Sequence, residues 1–163
     1  MKKTLYKGKY LTLNLDDDYE TISENFERIA ILPYNSETGK YLIRKELCPP
    51  WSKEKLIYTC ITGLRDKENE PIQETASREL FEEAGYSINS NNIRFLGKCY
   101  ISKASDSMIY LFTCDLSQIK KQKNPTDGTY SETVSKNAWA SKAFIIQYIN
   151  DPLVHIMLNR VIQ

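Results

Sequence analysis

The sequence predicts an α+β domain built on a mixed β-sheet with few helices. Short runs rich in β-branched and aromatic residues fill the first third of the chain and return after its middle. One helical stretch separates these two groups, and two shorter helical stretches close the chain. Because strands and helices do not alternate regularly, a repeated β-α-β arrangement is not expected. The 163 residues, 41% of them apolar, are expected to form a single domain over 1–163.

The predicted strands are short apolar runs bounded by turn residues. They are KYLTLNL at 9–15, ERIAILPY at 27–34, KYLIRKEL at 40–47, KLIYTCIT at 55–62, IRFLGKCYIS at 93–102, MIYLFTCDL at 108–116 and a last run around Trp139. The NSETG segment between the second and third runs predicts a hairpin loop. After the third run, Pro49 and Pro50 interrupt the chain, because proline continues neither a strand nor a helix.

The central helix is predicted from about Pro71 to Ala84. Proline is favoured at the first helical position, where its missing N–H costs nothing. Gly85 follows and supplies a residue that readily adopts the positive φ of a helix end. After the last strand, two short helices are predicted on either side of the NDP segment at 150–152.

Composition and charge argue against several classes of protein. A net charge of +1 gives no basis for a nucleic-acid partner. No apolar run approaches the roughly 20 residues that span a bilayer, so no membrane segment is predicted. The N-terminus lacks the apolar stretch of a signal peptide, and the four cysteines have no CxxC spacing. We therefore expect a cytoplasmic protein with reduced thiols and no zinc site.

The central helix gathers three acids on one strip of its surface. At about 100° per residue, Glu79, Glu82 and Glu83 share a stripe about 100° wide and within about 6 Å along the axis. The neighbouring stripe is apolar and consists of Ala76, Leu80 and Ala84. Crowded like charges destabilise a helix, and Arg78 cannot neutralise all three. A bound cation would relieve this repulsion, and oxygen ligands indicate Mg²⁺ or Mn²⁺. Taken alone, the strip also fits an ordinary solvent-exposed helix face, and both interpretations stay open.

The stretch GLRDKENEPIQETASRELFEEAGY at 63–86 resembles the signature of the Nudix hydrolases. That signature reads Gly, five residues, Glu, seven residues, then Arg-Glu-apolar-any-Glu-Glu-any-Gly-apolar. The matching positions are Glu70, Arg78, Glu79, Leu80, Glu82, Glu83, Gly85 and Tyr86. One departure is that six residues separate Gly63 from Glu70. The extra residue falls in the loop before the helix, where an insertion costs little.

The resemblance implies a Nudix-type α/β/α sandwich with an additional N-terminal strand segment at 1–24. That segment and the GLRD sequence are similar to the ADP-ribose pyrophosphatase branch of the family, although YTCITG at 58–63 departs from the branch pattern Trp-Glu-Leu-Pro-Ala-Gly. In this branch the N-terminal strands commonly exchange between the subunits of a homodimer. The run at 9–15 equally fits an edge strand of the same chain, and both alternatives remain open.

The resemblance also assigns roles to individual residues. It implies that the metal ligands are Glu79, Glu82, Glu83 and the main-chain carbonyl of Thr62, and that Arg78 and Glu70 orient the acids. It implies a general base on a loop after the helix, for which Glu132 is the first candidate and Asp127 the second. A solvated charge at a strand end fits Glu132 equally well. In some family members an acid of the signature does this work, which would make Glu82 the base.

Substrate contacts are predicted at four positions. Arg44 lies in a run similar to one that often supplies an arginine to the substrate phosphates, although a solvent-facing strand arginine fits the same pattern. Trp51 and Tyr58 are candidates for stacking on an adenine ring, with ordinary packing as the alternative. Asp106, in a polar loop, is a candidate for the sugar end of the substrate.

The resemblance implies hydrolysis of a nucleoside diphosphate linked to another group. ADP-ribose, cleaved to AMP and ribose 5-phosphate, is the expected substrate. Two alternatives stay open: a Nudix hydrolase of dinucleoside polyphosphates or nucleoside triphosphates, and a Nudix domain that binds a nucleotide or ADP-ribose as a sensor without hydrolysing it. Sensors tend to lose acids of the signature, whereas this chain keeps all of them.

Overall fold

The computed structural model of the protein describes residues 2–123 and 133–161. In these ranges the strands are β1 (Lys2–Lys7), β2 (Leu11–Asp16), β3 (Tyr19–Glu24), β4 (Arg28–Ile31), β5 (Tyr34–Asn35), β6 (Lys40–Cys48), β7 (Ser52–Thr59), β8 (Ile61–Leu64), β9 (Arg94–Tyr100), β10 (Met108–Thr113) and β11 (Lys136–Ser141). The structure also contains helices α1 (Ile72–Ala84), α2 (Lys142–Tyr148) and α3 (Pro152–Val161), and one 3₁₀ turn at Ser90–Asn92. No helix within these residues is long and apolar enough to cross a membrane.

The first of two larger sheets is mixed, as predicted. Its strand order is β8–β4–β10–β9. Strands β4 and β10 are parallel, with Ile31 opposite Phe112, and the other two pairings are antiparallel. The short strand β4 is buried along Ile29–Ile31, as is typical of a central strand covered on both faces.

The second sheet is built around β6, the longest strand. One edge of β6 pairs with β11, and the other edge pairs with β5 and then with β7. The predicted hairpin between the second and third apolar runs is present, because β5 and β6 are antiparallel across the turn at 36–39.

The prediction of a single strand at 55–62 was wrong. The structure divides this run into β7, which pairs with β6, and β8, which pairs with β4, so the chain passes from one sheet to the other at Cys60. The reason lies in the amide of Cys60, which donates to the buried carboxylate of Asp151 at 3.2 Å. A strand of alternating apolar residues gives no sign of this hydrogen bond to a distant helix end.

Helices cover both faces of the mixed sheet. Ile29 and Ile31 pack on the side of α1, and Ala30 and Leu32 pack on the side of α2 and α3. This alternation follows from the period of two along a strand. The predicted α/β/α layering is therefore confirmed, and it places α1 beside β8 and β4.

The N-terminal segment forms a separate antiparallel sheet of three strands in the order β1–β2–β3. Strand β2 confirms the run predicted at 9–15, while β3 was not predicted because Tyr19–Glu24 lacks a continuous apolar pattern. The sheet is joined to the rest of the molecule at Ile22, whose N–H donates to Ala104 at 2.8 Å and whose carbonyl accepts from Asp106 at 3.1 Å. Its exposed apolar side chains are Leu5, Tyr6, Tyr10, Leu11, Tyr19 and Ile22.

Candidate active site

Helix α1 begins and ends where the sequence predicts. Pro71 occupies the N-cap position with ψ 138°, one residue before the first helical residue. Gly85 ends the helix in the left-handed conformation, with φ 78°, and its N–H donates to the carbonyl of Phe81. The loop before the helix absorbs the residue that is extra to the signature. Within it Asn69 adopts φ 63°, a left-handed conformation that asparagine tolerates better than most residues.

Glycine at position 63 allows the acidic helix to lie against strand β8. A Cβ atom at Gly63 would overlap the Cγ and Cδ atoms of Glu79 and lie 2.5 Å from its Oε1. The Glu79 side chain therefore passes directly over the β8 backbone, next to Thr62. Any larger residue at 63 would displace this carboxylate from the sheet.

Arg78 is the centre of a polar network that joins the loop to the helix. Its side chain is 16% exposed, and its guanidinium donates to acceptors on three segments of the chain. The acceptors are Glu79 Oε1 at 2.8 Å, Leu64 O and Glu82 Oε2 at 3.0 Å, Asp66 Oδ1 at 3.1 Å, and both carboxylate oxygens of Glu70 at 3.3 Å. The structure thus brings Arg78 and Glu70 together with two of the predicted metal ligands.

The pKa values of two acids in this network shift in opposite directions. Burial raises the pKa of Glu79 to about 7, the charges of Glu82 and Glu83 add to the increase, and the charge of Arg78 opposes it. Burial also acts to raise the pKa of Glu70, but hydrogen bonds from Arg78 and Thr75 outweigh it, and the pKa lies below its ordinary value. The environment of Glu70 therefore favours its charged form beside Arg78. For Glu79, the charge of Arg78 does not offset the effects of burial and of the neighbouring acids.

The third acid, Glu83, is held by the second sheet. The Arg44 side chain, 7% exposed, forms an ion pair with the Glu83 carboxylate and also donates to the Glu83 carbonyl at 3.0 Å. Asn137 of β11 donates to the same carbonyl at 2.7 Å. The other partner of Arg44 is Glu46, at 2.7 Å.

Sequence reasoning missed two of these partners, Glu46 and Asn137. Glu46 could have been found, because it lies two residues after Arg44 and therefore on the same face of a strand. Asn137 lies 54 residues from Glu83, and nothing in the sequence indicates that β11 pairs with β6.

The donor chemistry of this site fits a hard divalent cation. Glu79, Glu82 and Glu83 offer carboxylate oxygens, and Thr62 precedes Gly63, the residue on which Glu79 packs. Within the described residues, no three acidic, histidine or cysteine side chains already converge on one point. Instead, guanidinium groups balance the acids: Arg78 binds Glu79 and Glu82, and Arg44 binds Glu83. The residues fit a cation that would share these carboxylates with the two arginines.

A cleft of about 340 Å³ opens beside strand β8. Thr62, Gly63 and Leu64 of β8 line it, and Trp51 lies in its wall with 55% of its surface exposed. Glu79, Glu82 and Glu83 are not among the described residues that line it. The remaining lining is largely apolar and comes mainly from β9, β10 and α3, including Tyr100, Ile101, Ile109, Leu153 and Ile156. Gly63 is thus a residue that both lines the cleft and contacts Glu79.

Two other predicted site residues, Tyr58 and Asp106, lie away from the cleft. Tyr58 packs edge-on against Phe144, with ring centroids 5.4 Å apart, and is not among the described residues that line the cleft. Asp106 accepts a hydrogen bond from Ser23 of the N-terminal sheet at 2.7 Å, in a separate depression of about 270 Å³. Glu132 and Asp127, the candidates for the loop base, lie outside the described residues.

Comparison with known proteins identifies the family. The sequence model of the NUDIX domain matches residues 25–143, which is most of the chain. A solved structure titled "Crystal structure of ADP compounds hydrolase" superposes with a TM-score of 0.74 over 99% of this chain and 89% of that chain, at 19% sequence identity. At this low sequence identity, the structural match shows that the two proteins share a fold. A search of curated proteins found no match. The chain belongs to the Nudix family, which confirms the predicted identity as a Nudix hydrolase.

Proposed function

We propose that the protein is a divalent-cation-dependent hydrolase that cleaves the diphosphate of nucleoside diphosphate derivatives. ADP-ribose, cleaved to AMP and ribose 5-phosphate, is the substrate that we favour. The observation that carries this proposal is the acidic strip of Glu79, Glu82 and Glu83, in which Glu79 packs on Gly63, a residue that also lines a cleft of about 340 Å³. The ADP compounds hydrolase with the same fold supports an adenosine diphosphate compound as substrate.

In this proposal, Mg²⁺ or Mn²⁺ would be held by Glu79, Glu82, Glu83 and the carbonyl of Thr62. The bound cations would neutralise the diphosphate and activate a water for attack on phosphorus. The protein's contribution is to hold the acids in place. Arg78 restrains Glu79 and Glu82 with hydrogen bonds of 2.8 and 3.0 Å, and Glu70 in turn restrains Arg78.

The attacking water also needs a base. Glu132 is proposed for this role from its position after the helix, and Glu82 is the alternative. The Glu82 side chain is 42% exposed, against 12% for Glu79, so Glu82 is the more accessible of the two to a substrate water. Glu132→Gln distinguishes the two candidates: a large loss of kcat with native Mn²⁺ affinity supports Glu132, and native rates leave Glu82 as the base.

The apolar part of the cleft is the proposed site for the base of the nucleotide. Trp51 offers an exposed aromatic face in its wall, and purine rings stack on such faces. The diphosphate would then lie toward Gly63, on which Glu79 packs. In this proposal, a ligand whose base lies in the cleft extends past β8 toward the acidic strip of α1.

We further propose a homodimer formed through the N-terminal sheet and a cytoplasmic location. Support for the dimer is the set of exposed apolar residues on β1–β3, which includes Tyr19 with 77% of its surface exposed. Support for the location is that the four cysteines are free thiols in the structure. Light scattering after size-exclusion chromatography tests the dimer: a mass of about 19 kDa at micromolar concentration would refute it, since one chain is 18.9 kDa.

A substrate screen tests the proposed activity. ADP-ribose, NADH, sugar nucleotides, dinucleoside polyphosphates and triphosphates are each incubated with Mg²⁺ and with Mn²⁺, and products are identified by mass spectrometry. ADP-ribose should yield AMP and ribose 5-phosphate, and Glu83→Gln should lower the rate by at least about a hundredfold. Turnover of triphosphates or dinucleoside polyphosphates alone would replace the substrate assignment. Binding of ADP-ribose without turnover of any compound would support the sensor alternative.

A further inference from the structure

A row of polar side chains crosses the second sheet and faces the end of the acidic helix. In the strand register, Arg44 of β6 lies directly opposite Asn137 of β11 on one side and Thr59 of β7 on the other. Residues paired in this way project from the same face of a sheet. Arg44 and Thr59 are each only 6% exposed, so the row is an interior feature and not a solvated surface.

All three guanidinium nitrogens of Arg44 are committed to protein acceptors. Nε donates to Glu46 at 2.7 Å, Nη1 donates to the Glu83 carbonyl at 3.0 Å, and Nη2 pairs with the Glu83 carboxylate. Thr59 completes the arrangement by donating to the second carboxylate oxygen of Glu46 at 3.1 Å. The bonds from Arg44 use three of its five N–H groups, and its side chain is only 7% exposed, so little of the guanidinium is accessible to a substrate phosphate.

The main-chain carbonyl of Glu83 accepts hydrogen bonds from two side chains of the second sheet. It lies in the last turn of α1, where carbonyls have no partner within the helix. Here it accepts from Arg44 at 3.0 Å and from Asn137 at 2.7 Å. Two side chains from neighbouring strands therefore fix the main chain of one predicted metal ligand, while Arg44 also holds its carboxylate.

We propose that Arg44 and Asn137 are positioning residues that set Glu83 for the divalent cation, and that Arg44 is not a contact for the substrate phosphates. This inference rests on the proposed function, because it takes Glu83 to be a cation ligand. It replaces the role that the sequence resemblance implied for Arg44. Second-layer groups that orient a metal ligand typically change metal affinity or activity by roughly 10–100-fold when removed.

The test compares Asn137→Ala, Arg44→Lys and Arg44→Met with the native chain. Asn137→Ala is the mildest variant, since it removes one donor to the Glu83 carbonyl without changing charge. The control is Arg94→Met, because Arg94 also donates to a carbonyl at a helix end, that of Val161, but lies in β9 away from α1. Binding of Mn²⁺ to the substrate-free protein is measured by electron paramagnetic resonance, alongside kcat and KM for ADP-ribose and the thermal midpoint of the metal-free protein.

The proposal predicts that Asn137→Ala and Arg44→Lys each weaken Mn²⁺ binding about tenfold and lower kcat with little change in KM. Arg94→Met should bind Mn²⁺ as the native chain does. A phosphate-binding role for Arg44 gives another pattern: native Mn²⁺ affinity in both Arg44 variants, raised KM, and partial rescue by lysine. That result, or native Mn²⁺ affinity in Asn137→Ala, would overturn the inference and leave the proposed hydrolase standing. A native chain that does not bind Mn²⁺ would overturn both.

Discussion

The carboxylate of Glu79 rests against the backbone of Gly63, so closely that a Cβ atom at 63 would lie 2.5 Å from Oε1. This contact links strand β8 to the acidic face of α1. It explains in physical terms why a glycine precedes the helix in the signature: the acid that is closest to the sheet needs the space that a side chain would fill.

Gly63→Ala should therefore displace Glu79 and weaken the cation site. The overlap is with a side chain packed against backbone, so we expect a loss of about 2 kcal/mol in unfolding free energy and at least a tenfold loss in Mn²⁺ affinity. Urea unfolding and Mn²⁺ titration measure the two effects. Gly39→Ala is the control, since it strains a residue with φ 64° but has open space around the added Cβ. An unchanged Mn²⁺ affinity in Gly63→Ala would contradict this account of the contact.

Arg78→Gln should be more damaging than the loss of an ordinary surface arginine. Its removal leaves the half-buried acids Glu70 and Glu79 without their main counter-charge, and breaking such a pair costs about 3 kcal/mol. Unfolding in urea should show this loss, and activity should fall by more than tenfold. Arg65→Gln serves as the control, because its partner Glu27 is more exposed. Equal effects of the two substitutions would mean that the Arg78 network has no special role.

The metal-free protein should lose stability as pH rises toward neutrality because of Glu79. Its pKa in the folded protein is about 7, above the ordinary value of 4.5, because burial disfavours the charged form. The stability associated with the neutral carboxyl is thus fully present below pH 4.5 and lost as pH rises through 7. Glu79→Gln removes this titration.

The thermal midpoint of Glu79→Gln relative to the native chain should therefore increase between pH 5 and pH 8. Both proteins are measured with chelator present, so that other titrating groups cancel in the difference. A difference that is constant across this range would show that Glu79 is already ionised at pH 5. Addition of Mg²⁺ at pH 8 should favour the native chain again, since the cation binds the charged form.

Trp51→Ala should affect substrate binding and leave the chemistry intact. Stacking of a base on an aromatic side chain contributes about 1–3 kcal/mol, so KM for ADP-ribose should rise roughly tenfold with kcat nearly unchanged. Tyr148→Ala is a suitable control, because Tyr148 is 57% exposed, close to the 55% of Trp51, but does not line the cleft. A native KM in Trp51→Ala would remove the tryptophan from the binding site.

The acidic helix could be predicted because the residues that determine its acidic face and its end lie close together in the sequence. The spacing of Glu79, Glu82 and Glu83 determines a shared face, and Gly85 determines where the helix ends. The partners of those acids could be predicted only within the signature, as for Arg78 and Glu70. Their roles in catalysis remain predictions that the experiments above test.

Features that depend on distant pairing could not be predicted. Asn137 reaches Glu83 only because β11 pairs with β6, and the division of β7 from β8 depends on a hydrogen bond from Cys60 to Asp151 across 91 positions. Tyr58 illustrates the same limit, because its packing against Phe144 follows from the position of α2. Strand alternation gives the face of each residue and not the identity of its neighbours.

In the proposed mechanism, the acids of α1 bind the cations that assist cleavage of a diphosphate. The most direct test of this mechanism is the anomalous scattering of Mn²⁺ in crystals soaked with Mn²⁺ and a non-hydrolysable ADP-ribose analogue. We predict a manganese peak in contact with the carboxylates of Glu79, Glu82 and Glu83 and with the analogue's diphosphate. An ordered analogue with no manganese at these acids would contradict the account.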